Sequence, residues 1–308
     1  MEKKQLAEWV RIRVKSYFRP HKTLKLFCAG IVRNEIDILE IWLDHLESLF
    51  DHVIIYDHKS DDGTRERLLE RAASSAILEA RIYDEEGHAQ SELMTKILHE
   101  LKDQTRAGWV FFLDADEFLF EKDRNRILKK LIDYRAATVF RLNWINVHAE
   151  SGFATLSRNT RLRGWYSPAK PKVAVNLRYV SDGARIAQGN HKYLATSAKP
   201  VVALPFGHLL HVPIRSEEQL MRKVRQGIAA TDALPSSKNY NQHWREMLQK
   251  NLRGADTTLR TMVYRYGAFE GDELASEKRE PPDEQIEGRL EDLVFLDDQR
   301  LKGSRVAR

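Results

Sequence analysis

WVFFLDADEFLF, residues 109–120, runs five consecutive apolar or aromatic residues into three carboxylates, Asp114, Asp116 and Glu117. Trp109–Leu113 reads as a strand covered on both faces, the pattern of a parallel sheet between helical layers. Acids just past such a strand stand at the carboxyl edge of the sheet, where open α/β folds bind ligands. Three negative charges within four residues repel one another unless something positive sits among them. A divalent cation is one answer and a surface cap or turn is the other. The acidic cluster alone does not decide between them.

The flanking sequence repeats the same alternation. LKLFCAGIV (24–32) reads as a first strand, and the next segment carries Leu39, Trp42, Leu43, Leu46, Leu49 and Phe50 on one helical face. Asn34 is its expected N-cap, with Asp37 in the first turn. HVIIYD (52–57) is a second strand, and SDDGT turns into a helix beginning near Thr64. AILEARIYD is a third strand and AQSELMTKILHELKDQ a helix. After WVFFLD come the helical DRNRILKKLIDYR and the strand ATVFRLNWINV. Strand and helix alternate through about residue 147, which predicts a mostly parallel sheet with right-handed crossovers and helices on both faces.

The pattern then loosens. Residues 150–200 are rich in Gly, Arg, Asn and Ser, with short β-like pieces such as KVAVNLRYV. PIRSEEQLMRKVRQGIAA returns to a helix, where Ser216 and Gln219 form a capping box and Leu220, Val224 and Ile228 an apolar stripe. Further helices are expected over about 241–253 and 257–266. From Gly271 the chain reads as a polar, partly flexible tail.

Of the 308 residues 42% are apolar and 31% charged, enough for a normal core. The single cysteine, Cys28, excludes a disulfide within the chain and a Cys-based zinc site, and suggests a reducing compartment. There is no signal peptide and no apolar run near 18 residues, so the expectation is a cytoplasmic protein. The formal charge of +5 is unevenly spread. Residues 1–25 hold eight Lys or Arg against Glu2 and Glu8, which leaves the remainder close to neutral. LAEWVRIRVKSYF interleaves Trp9, Ile12, Val14, Tyr17 and Phe18 with cations. That mixture suits peripheral contact with anionic lipid at the inner face of the cytoplasmic membrane, or an ordinary basic helix packed on the body. A near-neutral body argues against nucleic acid as a partner.

Three predicted strand ends converge at one sheet edge: AGIVRNE (29–35), DHKSDDGT (57–64) and DAD (114–116). Helix N-termini beside them favour an anionic ligand, and aspartates with a cation suit a pyrophosphate. RNE, a helix with WLDHL, VIIYDHKSDDGT and FFLDADEFL together resemble the nucleotide-sugar half of a GT-A fold glycosyltransferase of the family 2 type. HVPIRSEEQ with Lys223, and QGNH, resemble a bacterial branch of it. The resemblance covers roughly residues 24–230, with 24–147 as the nucleotide-sugar half and 148–230 as the acceptor half. A basic segment (1–23), C-terminal helices (231–270) and the tail (271–308) complete the organisation.

The resemblance implies a Rossmann-like, metal-dependent hexosyltransferase, inverting, with Mn²⁺ or Mg²⁺ as cofactor. Its donor would be a UDP-sugar, or alternatively a GDP-sugar, and its acceptor a glycan or glycolipid of a bacterial surface. Asp57 matches the acid that contacts the base, with Ala29 and Arg33 in the same pocket. Asp114 matches the first acid of the D-x-D pair, which faces the ribose or holds a metal-bound water, and Asp116 the second, which coordinates the metal directly. His211 matches a further metal ligand or a pyrophosphate contact, with His208 as its competitor. Arg215 and Lys223 are candidates for diphosphate charge, and Lys172 a lesser one. The general base has no motif: Glu150, Asp182 and His191 lie in the right region, and His191 is preferred because imidazole works near neutral pH.

Each of these residues also has a plainer reading. Asp61 and Asp62 cap the following helix, Glu117 faces solvent or pairs with an Arg, His208 and His211 are strand histidines, and Trp144 and Trp165 are core. A haloacid-dehalogenase-type phosphatase would place D-x-D after its first strand, with Thr or Val next rather than Glu117. A nucleotidyltransferase would need a longer Gly-rich basic loop than AGIVRNE. A non-catalytic nucleotide-sugar-binding protein on the same fold is the remaining alternative.

Overall fold

The computed structural model describes residues 24–87, 89–151, 156–166, 171–196, 200–232, 263 and 286–295. Strands β1 (Lys25–Val32), β2 (His52–His58), β3 (Leu78–Tyr83) and β4 (Gly108–Phe112) pair in parallel in the order β3-β2-β1-β4. Helices α1 (Leu39–Leu49), α2 (Thr64–Ser74) and α3 (Gln90–Gln104) connect them. Alternate side chains on each strand point to opposite faces, and both faces are covered. Leu26 and Cys28, Val53 and Ile55, and Trp109 and Phe111 pack with Leu39, Trp42, Leu43 and Leu46 of α1. Leu68 of α2, and Ile127 and Leu131 of α4 (Arg124–Asp133), join that layer. Phe27 and Ala29, Ile54 and Tyr56, and Val110 and Phe112 pack instead with Leu93, Met94, Ile97, Leu98 and Leu101 of α3. The α/β class follows, and the unbroken apolar run of β4 reflects burial on two sides.

The expectation of a mostly parallel sheet is corrected. β6 (Val139–Ala149) runs parallel to β4, but β8 (Lys172–Asn176) lies between them, antiparallel to both. β7 (Arg161–Tyr166) pairs antiparallel with the later part of β6, along the same edge as β8. On its other edge β6 takes β11 (Ala203–His211) in parallel, and β11 takes the short β5 (Glu117–Leu119) antiparallel. Among the described residues, with β12 (Ile286–Arg289) beside β7, this makes a mixed ten-stranded sheet, and the short β9 (Arg185–Ile186) and β10 (Tyr193–Leu194) pair with each other separately. A parallel return needs a long crossover, usually helical, and the stretch between β6 and β7 has no helical periodicity, so the chain turns back antiparallel.

Two further differences concern ends. α1 starts at Leu39 after a turn, so Asn34 is not its N-cap; Asn34 is left-handed (φ 57°) and bonds across to the next loop. Within the stretch read as a polar tail, β12 (Ile286–Arg289) extends the sheet beside β7, and α6 (Leu290–Val294) sends Leu290, Val294 and the following Phe295 into the α1-side core. α5 (Glu217–Asp232) begins as expected, with Ser216 Oγ accepting the Gln219 N–H at 3.0 Å. The basic segment and the helices expected over 241–253 and 257–266 lie outside the described residues, apart from helical Val263. No helix among the described residues is long and apolar enough to cross a membrane.

His45 of α1 ties several of these pieces together. Its Nε2 accepts the Leu119 N–H at 2.9 Å, and its ring packs on Phe118 and Phe295. Burial holds its pKa down to about 3; the Val294 carbonyl opposes this, although Nδ1 has no well-formed hydrogen bond. The unfolded imidazole titrates near 6.5 and the folded one far lower. The unfolded state therefore binds the proton first, and stability present above pH 6.5 is lost as pH falls toward 3. Between pH 7 and pH 5 this one group should remove about 2 kcal/mol. Urea unfolding of the wild type and His45→Gln at both pH values checks it: the variant, which can still accept from Leu119, should lose about that much less.

Candidate functional site

β4 is continued by Leu113, whose N–H donates to the Ala29 carbonyl at 3.1 Å. Its own carbonyl would come within 2.7 Å of a Cβ at position 30, so Gly30 is needed there. A tight turn follows, with the Glu117 N–H donating to the Asp114 carbonyl at 3.0 Å, and leads into β5. Register then assembles the site. Glu117 faces His211 across the β5–β11 ladder, and His211 faces Asn146 across β11–β6. The Val212 N–H closes on the Asp116 carbonyl at 2.8 Å.

Asp116, Glu117 and His211 thereby form a buried group whose ligand atoms all lie within 4.8 Å of one another. His211 stacks on Trp144 at 4.2 Å with its Nδ1 2.7 Å from Asn146 Oδ1. Donation of Nδ1–H to that amide oxygen leaves the lone pair on Nε2, which lies 3.7 Å from Asp116 Oδ2. Burial keeps the imidazole below its ordinary pKa, although Asp116 pulls the other way. Two carboxyl groups and a neutral imidazole, the latter oriented by an amide, make a donor set that could hold a divalent cation.

The acids are not a surface cap. Glu117 is fully buried, accepting from Trp144 Nε1 at 2.7 Å and from the Asp114 N–H at 3.0 Å, with Lys172 at 3.2 Å. It therefore neither faces solvent nor pairs with an Arg. Burial pushes its carboxyl up to about 8, against the pull of Lys172. Lys172 is 1% exposed and also pairs with Asp114; burial alone would discharge it, but Asp114 and Glu117 hold it charged. Asp114 further accepts from Gln90 Nε2 at 2.8 Å and Asn190 Nδ2 at 3.2 Å. Burial would raise the Asp116 carboxyl, yet Lys223, His211 and Arg215 keep it well below the usual range. The Lys223 ammonium bonds Asp116 Oδ2 directly. Lys172 and Lys223 are the positive charges that the acidic run requires.

The other expected residues divide clearly. Asp57, at the end of β2, is buried; Oδ1 takes Arg65 at 2.6 Å while Oδ2 has no partner. Arg33 is exposed near this edge, whereas Ala29 is sealed in the α3-side core and offers no surface to a ligand. Arg215 is also committed. Its buried guanidinium binds Glu35, both oxygens of Asp37 and the Val212 carbonyl, making it a clasp between two loops rather than an open diphosphate contact. Asp114 faces Lys172 and the two amides, and Glu117 stands with Asp116 and His211 in the candidate metal group. His208 points away, edge-on to Tyr166 at 4.7 Å, which leaves His211 as the histidine at the acids. Asp62 does cap its helix, accepting the Thr64 N–H at 3.0 Å, while Asp61 is exposed.

Among the base candidates, Glu150 pairs with Arg161 and Arg163, and Asp182 with Lys102. His191 is half-buried, edge-on to Trp144 at 5.7 Å. It lines a cavity of about 270 Å³ with Arg141, Val173, Lys192, Tyr193 and Leu194. Neither acid of the metal group lines that cavity, so the link between the two runs through Trp144. Asn146 and Gln90 were missed and Asn190 was marked only as part of QGNH; each is an amide that only strand register or a loop contact brings to the acids.

No family model and no curated protein matches this chain. Among solved structures it is similar to the crystal structure of HddC from Yersinia pseudotuberculosis, at 8% identity and a TM-score of 0.34, over 65% of this chain and 97% of that one. A likeness so slight says nothing about activity.

The Arg215 clasp has a measurable consequence. Truncation leaves Glu35 and Asp37 facing each other near Asp116 without their cation, and breaking a buried pair is strongly destabilising. Arg215→Ala should cost about 3 kcal/mol in urea unfolding. Arg215→Lys, which keeps the charge without the planar fork, should fall between it and the wild type.

Proposed function

We propose that this chain is a metal-dependent glycosyltransferase of the GT-A, family 2-like type, moving a sugar from a nucleotide diphosphate to an acceptor hydroxyl. The observation that carries this reading is the Asp116–Glu117–His211 group at the carboxyl edge of β4, where the D-A-D-E-F and H-x-P-x-R-S segments meet. Mn²⁺ or Mg²⁺ would be held there by Asp116 and His211 with Glu117, and when bound would offset charge on the leaving diphosphate. The unpartnered Asp57 Oδ2 fits a base or ribose donor, with exposed Arg33 nearby.

His191 is the proposed base. An acceptor placed in the cavity it lines would meet an imidazole able to take the hydroxyl proton as the new glycosidic bond forms and the bond to the diphosphate breaks. UDP is the expected nucleotide and GDP the alternative. The surface-glycan destination, and contact with anionic membrane through residues 1–23, rest on the sequence resemblance and on the charge of that segment. The reading as a non-catalytic nucleotide-sugar-binding protein draws on one observation: Lys172 and Lys223 already neutralise the acids from within the chain.

Calorimetric titration with UDP and with GDP, each with and without Mn²⁺, tests the proposal. Manganese-dependent binding of one nucleotide is expected in the wild type, with its loss in a folded Asp116→Ala variant. Hydrolysis or transfer from the matching nucleotide sugar should then depend on His191. Binding without any turnover would favour the non-catalytic reading, and no binding under any condition would remove the donor site altogether.

A further inference from the structure

Lys223 sits where a cation would. It reaches the acids from the second turn of α5, whose start is fixed by the Ser216 cap and by the Arg215 clasp to Asp37. Its ammonium bonds Asp116 Oδ2, the same oxygen that lies 3.7 Å from His211 Nε2. A divalent ion bound between Asp116 and His211 needs that oxygen at about 2.0–2.2 Å. An ammonium already on the same atom would face the ion at close range in a dry site, where like charges repel strongly.

The two lysines at this site differ in burial. Lys172 is 1% exposed and locked between Asp114 and Glu117, whereas the Lys223 side chain is 25% exposed on a four-carbon stem. We propose that Lys223 is a tethered counter-cation: it occupies the metal's place on Asp116, and a divalent ion binds only as the ammonium withdraws. Asp116 can then stay ionised and ordered without metal, and metal affinity is set low by the contact that must first be broken. This inference rests on the reading that Asp116, Glu117 and His211 accept a divalent cation.

The experiment is a Mn²⁺ titration of the full chain, followed by the electron paramagnetic resonance signal of free Mn²⁺ at fixed pH and ionic strength. Wild type, Lys223→Met, Lys223→Gln and Lys223→Arg are compared, with Asp116→Asn as the site control and cooperative unfolding as the check on folding. The two neutral variants should bind Mn²⁺ roughly ten- to a hundredfold more tightly than wild type, the range of one charge-assisted hydrogen bond. Lys223→Arg should stay near wild type and Asp116→Asn should lose the site. Equal or weaker binding in the folded neutral variants would overturn the counter-cation while leaving the metal site standing. No site-dependent binding in wild type or any Lys223 variant would overturn the metal reading and this inference with it.

Discussion

Glu117 has no exposed surface, and a buried carboxyl group costs several kcal/mol unless partners replace its hydration. Those partners come from every side. Trp42 of α1 donates to its backbone carbonyl and Trp144 of β6 to its side chain, while Lys172 of β8 supplies the charge. Lys172 can do so only because β8 is inserted antiparallel between β4 and β6. The departure from a parallel sheet and the survival of a buried acid at its edge are thus two aspects of one arrangement. β5 and β11 follow from it, since their pairing places His211 across from that acid.

The neighbouring loops are equally constrained. Asn34 and Lys59, each just past a parallel strand, adopt left-handed backbone. The loops that contain them are cross-bonded: Asn34 N–H to Ser60, Asp61 N–H to Asn34, and Glu35 N–H to Thr64. Arg222 of α5 adds a contact to the Asn34 carbonyl at 3.3 Å. Polar side chains that sequence reasoning assigned to ligands are thereby divided into two jobs. Arg215 holds the edge together, whereas Asp57 keeps one carboxylate oxygen without a hydrogen bond.

Much of this was legible in advance, and the limits have physical causes. The first four strands and their helices have strong periodicity because each strand is buried on two faces and each helix on one. Asp116 could be singled out because an acid next to a buried apolar strand is costly without a purpose, and His211 only through the resemblance carried by H-x-P-x-R-S. Glu117 was misjudged because a carboxylate buried with tryptophan donors looks, in sequence, like any surface acid. Arg215 was misjudged for the converse reason: its partners, Glu35 and Asp37, lie far away in the chain, and no spacing rule joins them. The mixed half of the sheet was opaque because β7, β8 and β12 are short and their partners are set by long-range pairing rather than by local pattern.

β12 and α6 carry a consequence for how the chain comes off the ribosome. Phe295 packs against His45 and under the Arg158 guanidinium, and the amides of Leu290 and Glu291 bond the Thr160 and Arg158 carbonyls. Until residue 295 has been synthesised, the α1 face lacks that cover and β7 presents an unpaired edge. Nascent chains therefore pass through an interval in which a nearly complete sheet exposes a strand ready to pair with another molecule.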